Sequence, residues 1–382
     1  MRRWMVALPL SAAAVALAVC GDPTFVLAQP PAAEEVQFRT ADGVRLKGLF
    51  HASTKNPAGD PVVMLLYPPG PGNNMTKGDW DGLSKTLTDN GYSVLRFDWR
   101  GHGKSTDIED TDLFWNNPIT GSNWNRRYVK HARPAGGKTP IKSDLQAKAD
   151  FDPKYFPVYV NDIAAARQYL DQRNDNGKAN TSSIYVIGAG DAAALGMLWL
   201  TAEWLRPAVY PNVNQLGGAA KYEYVPQPLV QPVAGKIEEA GRDVAGVVWL
   251  SAGRPATTTE FVVKKWPLQS PRMREMNHTL FLYGGDDDKA ATQSKFFYNE
   301  VLVAKGNKGL GVKELEQTFL TAVPKTKLSG VALLGKNAEI GTEDTILKYL
   351  AARKKDRGDK VVVTRGYTNG YYINPGSFYL QP

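Results

Sequence analysis

The stretch Ser182–Leu200, SSIYVIGAGDAAALGMLWL, constrains this 382-residue chain more than any other. An apolar run rich in β-branched residues, Ile184 to Ile187, passes directly into a turn of glycine and alanine, and that turn opens a segment of good helix formers. Strand, sharp turn and helix in this order project one strained residue above a parallel sheet, and small neighbours let the backbone make the turn. The pattern glycine, any, nucleophile, any, small reads Gly188-Ala189-Gly190-Asp191-Ala192, which puts glycine where a serine would stand. A register one residue later, Ala189-Gly190-Asp191-Ala192-Ala193, puts Asp191 at the apex, and an aspartate can form a covalent ester. Asp191 is equally the acid that the first turn of a helix favours.

The rest of the chain supplies matching layers. Glu35–Phe50 alternates apolar and polar residues around Asp42-Gly43, which predicts a β-hairpin. Pro61–Tyr67 is a continuous apolar run of the kind buried on both faces, and it ends in Pro68-Pro69-Gly70-Pro71-Gly72. Asp79–Asn90 predicts a helix with Trp80, Leu83 and Leu87 on one face, and Tyr92–Asp98 a second buried strand. Further on, Tyr155–Gln172, Ala290–Ala304 and Thr342–Arg353 read as helices, and Val244–Ala252, His278–Gly284 and Val331–Gly335 as strands. This alternation predicts an α/β fold, a mostly parallel doubly wound sheet with helices on both faces, over residues 35–356. Two polar or Pro/Gly-rich stretches, 106–154 and 206–242, interrupt it as insertions, and the first is expected either to gate a site or to form a surface excursion. Residues 357–382 form a C-terminal extension whose Tyr367, Tyr371, Tyr372, Phe378 and Tyr379 predict an aromatic hairpin packed on the domain.

The N-terminus reads as an export signal over residues 1–28: Arg2 and Arg3, then the apolar Trp4–Val19, then Val26-Leu27-Ala28 as a cleavage pattern. A Pro/Ala linker, 29–34, follows. The expected location is periplasmic, cell-surface or secreted, with membrane attachment only through an uncleaved signal segment; that apolar stretch is short for a span. Cys20 is the only cysteine, so the mature chain has no disulfide, thiolate zinc site or cysteine nucleophile. The formal charge of +8 is spread out, without the like-charge run that marks a nucleic-acid tail. No phosphate-binding loop is present, and Gly188-Ala189-Gly190 lacks the third glycine of a dinucleotide fingerprint. Four dispersed histidines speak against a zinc site, so neither metal nor cofactor is expected.

From Val36 to Ser105 the chain resembles the N-terminal half of an α/β-hydrolase of the serine aminopeptidase and lipase-like kind. The carriers are the hairpin, the apolar strand with its Pro/Gly loop, the Trp80 helix and, most specifically, Tyr92-Ser93-Val94-Leu95-Arg96-Phe97-Asp98-Trp99-Arg100-Gly101-His102-Gly103-Lys104-Ser105. The resemblance implies that the Arg100–Gly103 loop is structural. It also implies where each part of an acyl-transfer site belongs: a nucleophile, a histidine base, an orienting acid and oxyanion donors.

Three of those parts are missing. Gly190 stands at the nucleophile position. The resemblance places the base in the loop after the last strand, read as Gly335–Glu339, where Lys336 or Asn337 takes its place, and a lysine near its usual pKa is protonated. Of the four histidines, His51, His102 and His278 sit at strand ends or in the structural loop, and His131 lies in the first insertion. The oxyanion loop corresponds to Tyr67, Pro68 and Pro69, and proline has no N–H to donate; losing one donor costs on the order of 10²–10³ in rate. An acid remains in Asp286-Asp287-Asp288, with Asp287 the best match, although such a turn is also ordinary loop chemistry.

The expectation is an exported α/β-hydrolase-fold protein, inactive as a serine hydrolase and serving to bind a small molecule or act as a scaffold. The alternative is a hydrolase of ester, amide or halide substrates that uses Asp191 or residues recruited from the insertions. A cavity above Gly190 is expected, lined by Tyr67, Trp99 or aromatic residues of the insertions.

Overall fold

The computed structural model describes residues 33–117, 122–130, 142–206, 239–302, 318–335, 341–358 and 371–378. The predicted hairpin is β1 (Glu34–Arg39) and β2 (Arg45–His51), joined where Gly43 takes a φ of +86° and the Thr40 hydroxyl donates to Asp42 at 2.6 Å. β3 (Pro61–Leu66) and β4 (Ser93–Phe97) are buried along their whole length and flank α1 (Trp80–Asp89) in sequence. The segment 106–154 holds α2 (Thr111–Trp115), α3 (Ser122–Tyr128) and α4 (Ala147–Asp150). A 3₁₀ turn at Pro153–Tyr159 leads into α5 (Val160–Asp175), β5 (Asn180–Ala189) and α6 (Ala192–Leu205). Then come β6 (Val244–Leu250), α7 (Glu260–Leu268), α8 (Pro271–Met276) and β7 (Thr279–Gly284). α9 (Asp288–Phe296), β8 (Thr318–Val323) and α10 (Thr342–Arg357) follow.

The eight strands lie in the order β1-β2-β4-β3-β5-β6-β7-β8. β2 runs antiparallel to both neighbours, and β4 through β8 pair in parallel. The chain leaves β3 for β4 on one side and later returns to β5 on the other, so the strand order reverses there. Such a reversal opens a crevice at the carboxyl ends of the two strands. Leu66 pairs with Gly188, which brings Tyr67-Pro68 and Ala189-Gly190 out of the sheet side by side.

Several elements differ from the sequence reading. β1 begins at Glu34, inside the presumed linker. The last strand is β8, whereas Val331–Gly335 contributes to a 3₁₀ turn at Gly330–Leu333. β8 lies at the end of the sheet order and buries only Thr318 and Val323, so it lacks the continuous apolar run of a central strand. α7 and α8 were hidden by Pro267 and Pro271; their N-terminal N–H groups are capped by Thr259 and Ser270. The helix after β7 turns π-helical over Phe297–Leu302.

The described part of the first insertion carries buried side chains. Phe114, Trp115 and Asn125 are fully buried, and the Trp115 indole donates to the Lys142 carbonyl at 2.9 Å. The described part of the C-terminal extension, residues 371–378, packs on α5 and α6. The backbone of Ile373 exchanges two hydrogen bonds with the Asn161 amide, at 2.7 and 3.0 Å, and Tyr371 donates to the buried Glu203. Its described part ends in a 3₁₀ turn, Pro375–Phe378, where a strand was expected. Residues 1–28, read as an export signal, most of the second insertion and the rest of the expected aromatic hairpin lie outside the described residues.

Candidate functional site

The turn between β5 and α6 is tight because its glycines leave room for one indole. A Cβ at Gly188 would lie 2.8 Å from the Trp249 ring, and one at Gly196 would lie 2.3 Å from it. Trp249 of β6 therefore fills the gap between strand and helix. Gly190 is the left-handed residue of the turn, with φ +53°. Its N–H donates to Leu250 at 2.9 Å, and its carbonyl accepts from Ala193 and Gly253, both at 3.0 Å. A Cβ there would meet Pro68 at 3.4 Å, ordinary van der Waals contact, so space for a side chain exists although the backbone disfavours one.

Asp191 is already helical, with φ −65°, and stands at the N-terminal boundary of α6. Its half-buried carboxyl has no hydrogen-bond partner among the described residues; burial raises its pKa, and the charges of Lys289 and Arg254 lower it by less.

The loop after β3 is held by polar contacts that leave little freedom. The Tyr67 carbonyl accepts the Trp99 indole N–H at 2.8 Å, and the Tyr67 hydroxyl donates to Asp98 at 3.3 Å. The Pro68 carbonyl accepts from the Asn73 amide at 3.0 Å. His102 Nε2 accepts the Gly70 N–H at 2.9 Å, while Nδ1 faces the Arg100 carbonyl at 3.0 Å, which requires the neutral tautomer with its proton on Nδ1. Burial lowers the pKa of His102. Both ring nitrogens are thus committed, Nε2 to the loop after β3 and Nδ1 to the histidine's own loop.

Asp287 caps α9 by accepting the Ala290 N–H at 3.0 Å. His51 and His278 stand beside Arg96 and Arg353, and burial first, then those cations, push each imidazole down to about 4. His131, Lys336 and Asn337 lie outside the described residues. The placement of β8 moves the loop after the last strand to residues 324–341, and no histidine occurs in that stretch. Among the described residues, no group of three or more His, Cys, Asp and Glu side chains is placed to hold a metal ion.

A cavity of about 640 Å³ opens over Gly190. One wall is Tyr67, Pro68 and the segment Asn73–Asp79; the other is Leu328–Leu334. The second wall is unforeseen by the sequence, in which Val331–Gly335 reads as a strand and Leu328–Gly330 carries no signal. Gly330 turns this wall at φ +57°, and a Cβ there would sit in ordinary contact with Ala189, at 3.8 Å. Trp99 does not line the cavity; it is fully buried beneath Tyr67. The aromatic residues of the insertions are also absent from the described lining, as are Asp191 and Asp287.

A sheet of this order, antiparallel only at its second strand, with a sharp β5–α6 turn at its crevice, is the α/β-hydrolase fold. The chain is similar in sequence to the uncharacterized protein YfhR of Escherichia coli, 37% identical over 76 residues; the match covers 20% of this chain and 26% of that protein. Similar solved structures include an esterase of Pyrococcus furiosus, with 13% identity, a TM-score of 0.44, and 84% of this chain and 90% of that chain covered. A dienelactone hydrolase from Anabaena variabilis has 11% identity and a TM-score of 0.44, covering 85% and 98%. Esterase 2 of Thermogutta terrifontis has 11% identity and a TM-score of 0.46, covering 86% and 96%. No family model matches the chain. The fold stands on the strand order.

Proposed function

We propose that this exported protein binds a small molecule in the cavity over Gly190 and has no serine-hydrolase activity. One observation carries the reading: the residue held at the strained apex of the turn is a glycine, and open space lies above it. The histidines at hand are spent on loop contacts or stand beside arginines, and the loop that would donate to an oxyanion carries Pro68 and Pro69. The N-terminal Arg2-Arg3 and the apolar stretch after them support export, which fractionation of the expressing cells tests.

The neutral fluorophore Nile red tests the binding reading. It is expected to bind the wild type saturably, and Ala332→Trp, at the exposed rim, is expected to weaken it while leaving Tm unchanged. Unaltered binding in that variant would remove the cavity from the account. A second reading, an aspartate nucleophile, draws on the unpartnered carboxyl of Asp191. Turnover of activated esters or haloalkanes that is abolished in Asp191→Asn would establish it.

A further inference from the structure

The wall that carries Asn73–Asp79 is polar in a one-sided way. Lys77 is the only basic side chain among the described residues lining the cavity. Its ammonium donates to Asn73 Oδ1 at 3.1 Å and toward the Gly72 carbonyl at 3.4 Å, both neutral acceptors, and it forms no ion pair among the described residues. Asn73 is itself fixed, since its amide donates to the Pro68 carbonyl. The chain Pro68–Asn73–Lys77 therefore holds a cation on the cavity wall. Beside it, Asn74 uses Oδ1 to accept from the Thr76 N–H and hydroxyl at 3.0 and 2.9 Å. That leaves its Nδ2 hydrogens without an acceptor among the described residues.

The one anion of the lining, Asp79, is differently placed. It accepts the Gly82 N–H at 3.2 Å as the N-cap of α1, where the positive end of the helix offsets its charge. The remaining wall is mostly apolar, with Pro68, Leu328, Val331, Ala332 and Leu334 and one uncharged polar side chain, Ser329. Volume and composition suit a ligand-sized pocket with a few placed polar groups.

We infer that the cavity takes a small amphiphile with a single negative charge, its apolar body against Pro68 and Leu328–Leu334 and its anionic head on Lys77 and Asn74. This rests on the binding reading above and names the ligand class for that cavity.

Displacement of Nile red by decanoate, decanol and decylamine, each below its micellar concentration at neutral pH, tests it. The three share an apolar chain and differ in head-group charge. The wild type is expected to bind decanoate roughly fivefold more tightly than decanol, as one partly exposed ion pair provides, and decylamine most weakly. Lys77→Met keeps the apolar stem and is expected to erase the preference for decanoate over decanol. Equal affinity for decanoate and decanol, tightest binding of decylamine, or a preference that survives Lys77→Met would overturn the inference while sparing the binding reading. Failure of both decanoate and decanol to displace the probe would overturn the two together.

Discussion

Two turns leave the carboxyl edge of the same sheet, and they spend their polar groups in opposite ways. After β4, Arg100 is fully buried and donates to Asp42 at 2.6 and 3.0 Å, to Asp162 at 2.7 Å and to Tyr155 at 3.1 Å, while its own N–H reaches Asp162 at 2.9 Å. That single guanidinium ties the hairpin turn, the β4 loop and the start of α5 together, and Asn125 joins the first insertion to the same cluster. After β5, Gly190 offers only backbone, the neighbouring Asp191 carboxyl has no hydrogen-bond partner among the described residues, and open space lies above. The first turn is built as a scaffold that cannot change without cost. The second has the shape of a nucleophile turn, with a glycine at its apex and the Asp191 carboxyl beside it.

The sharpest way to break this contrast is to damage the scaffold turn. Arg100→Met leaves Asp42 and Asp162 buried without their cation, which is expected to cost about 3–5 kcal/mol in denaturant unfolding. A loss under 1 kcal/mol would mean that the cluster is not what holds the turns together. The cavity rim should behave otherwise, so Ala332→Trp is expected to leave the unfolding midpoint in place.

Acid separates the regions next. The unfolded chain protonates His51 and His278 near pH 6.5, but in the folded chain both are held neutral down to about pH 4. Between those values the unfolded state binds more protons, so this part of the stability is complete above pH 6.5 and is lost as pH falls toward 4. Thermal melts from pH 7 to 4.5 should show Tm falling, and the double variant His51→Gln, His278→Gln should flatten the fall. An identical slope in the double variant would contradict the assignment.

At the site itself, Gly190→Ser is expected to cost roughly 1–2 kcal/mol for a side chain at positive φ and to give no esterase turnover. Measurable turnover of activated esters would show the site to be better equipped than its residues indicate. The smallest expected effect lies next door. Ser251 is a non-glycine residue at φ +48°, directly after β6, with a buried hydroxyl that has no partner among the described residues. Ser251→Gly is expected to stabilise by up to about 1 kcal/mol, by relieving that conformation; destabilisation would mean that the hydroxyl has a partner in solution.

How much of this was legible in the chain followed from burial. β3, β5 and β6 are covered on both faces and had to be written as apolar runs, so their number and order could be read. The Gly190 turn was readable because a left-handed apex and the Trp249 slot both call for glycine. β8 escaped because only its first and last residues are buried; the apolar Val331–Leu334 drew the assignment instead and hid the second wall of the cavity. Burial within the described part of the first insertion was illegible for another reason. Its hydrophilic composition conceals side chains such as Asn125, which is polar and fully buried because Phe114, Tyr155 and Asp42 supply its partners.

The central proposal is that this hydrolase fold has no acyl-transfer chemistry. Incubating the folded full-length protein with a fluorophosphonate probe and recording its intact mass tests this most directly. The account predicts no adduct on the wild type or on Gly190→Ser, with Nile red still bound in the cavity of the wild type. A stoichiometric adduct that maps to one residue beside the cavity would contradict it.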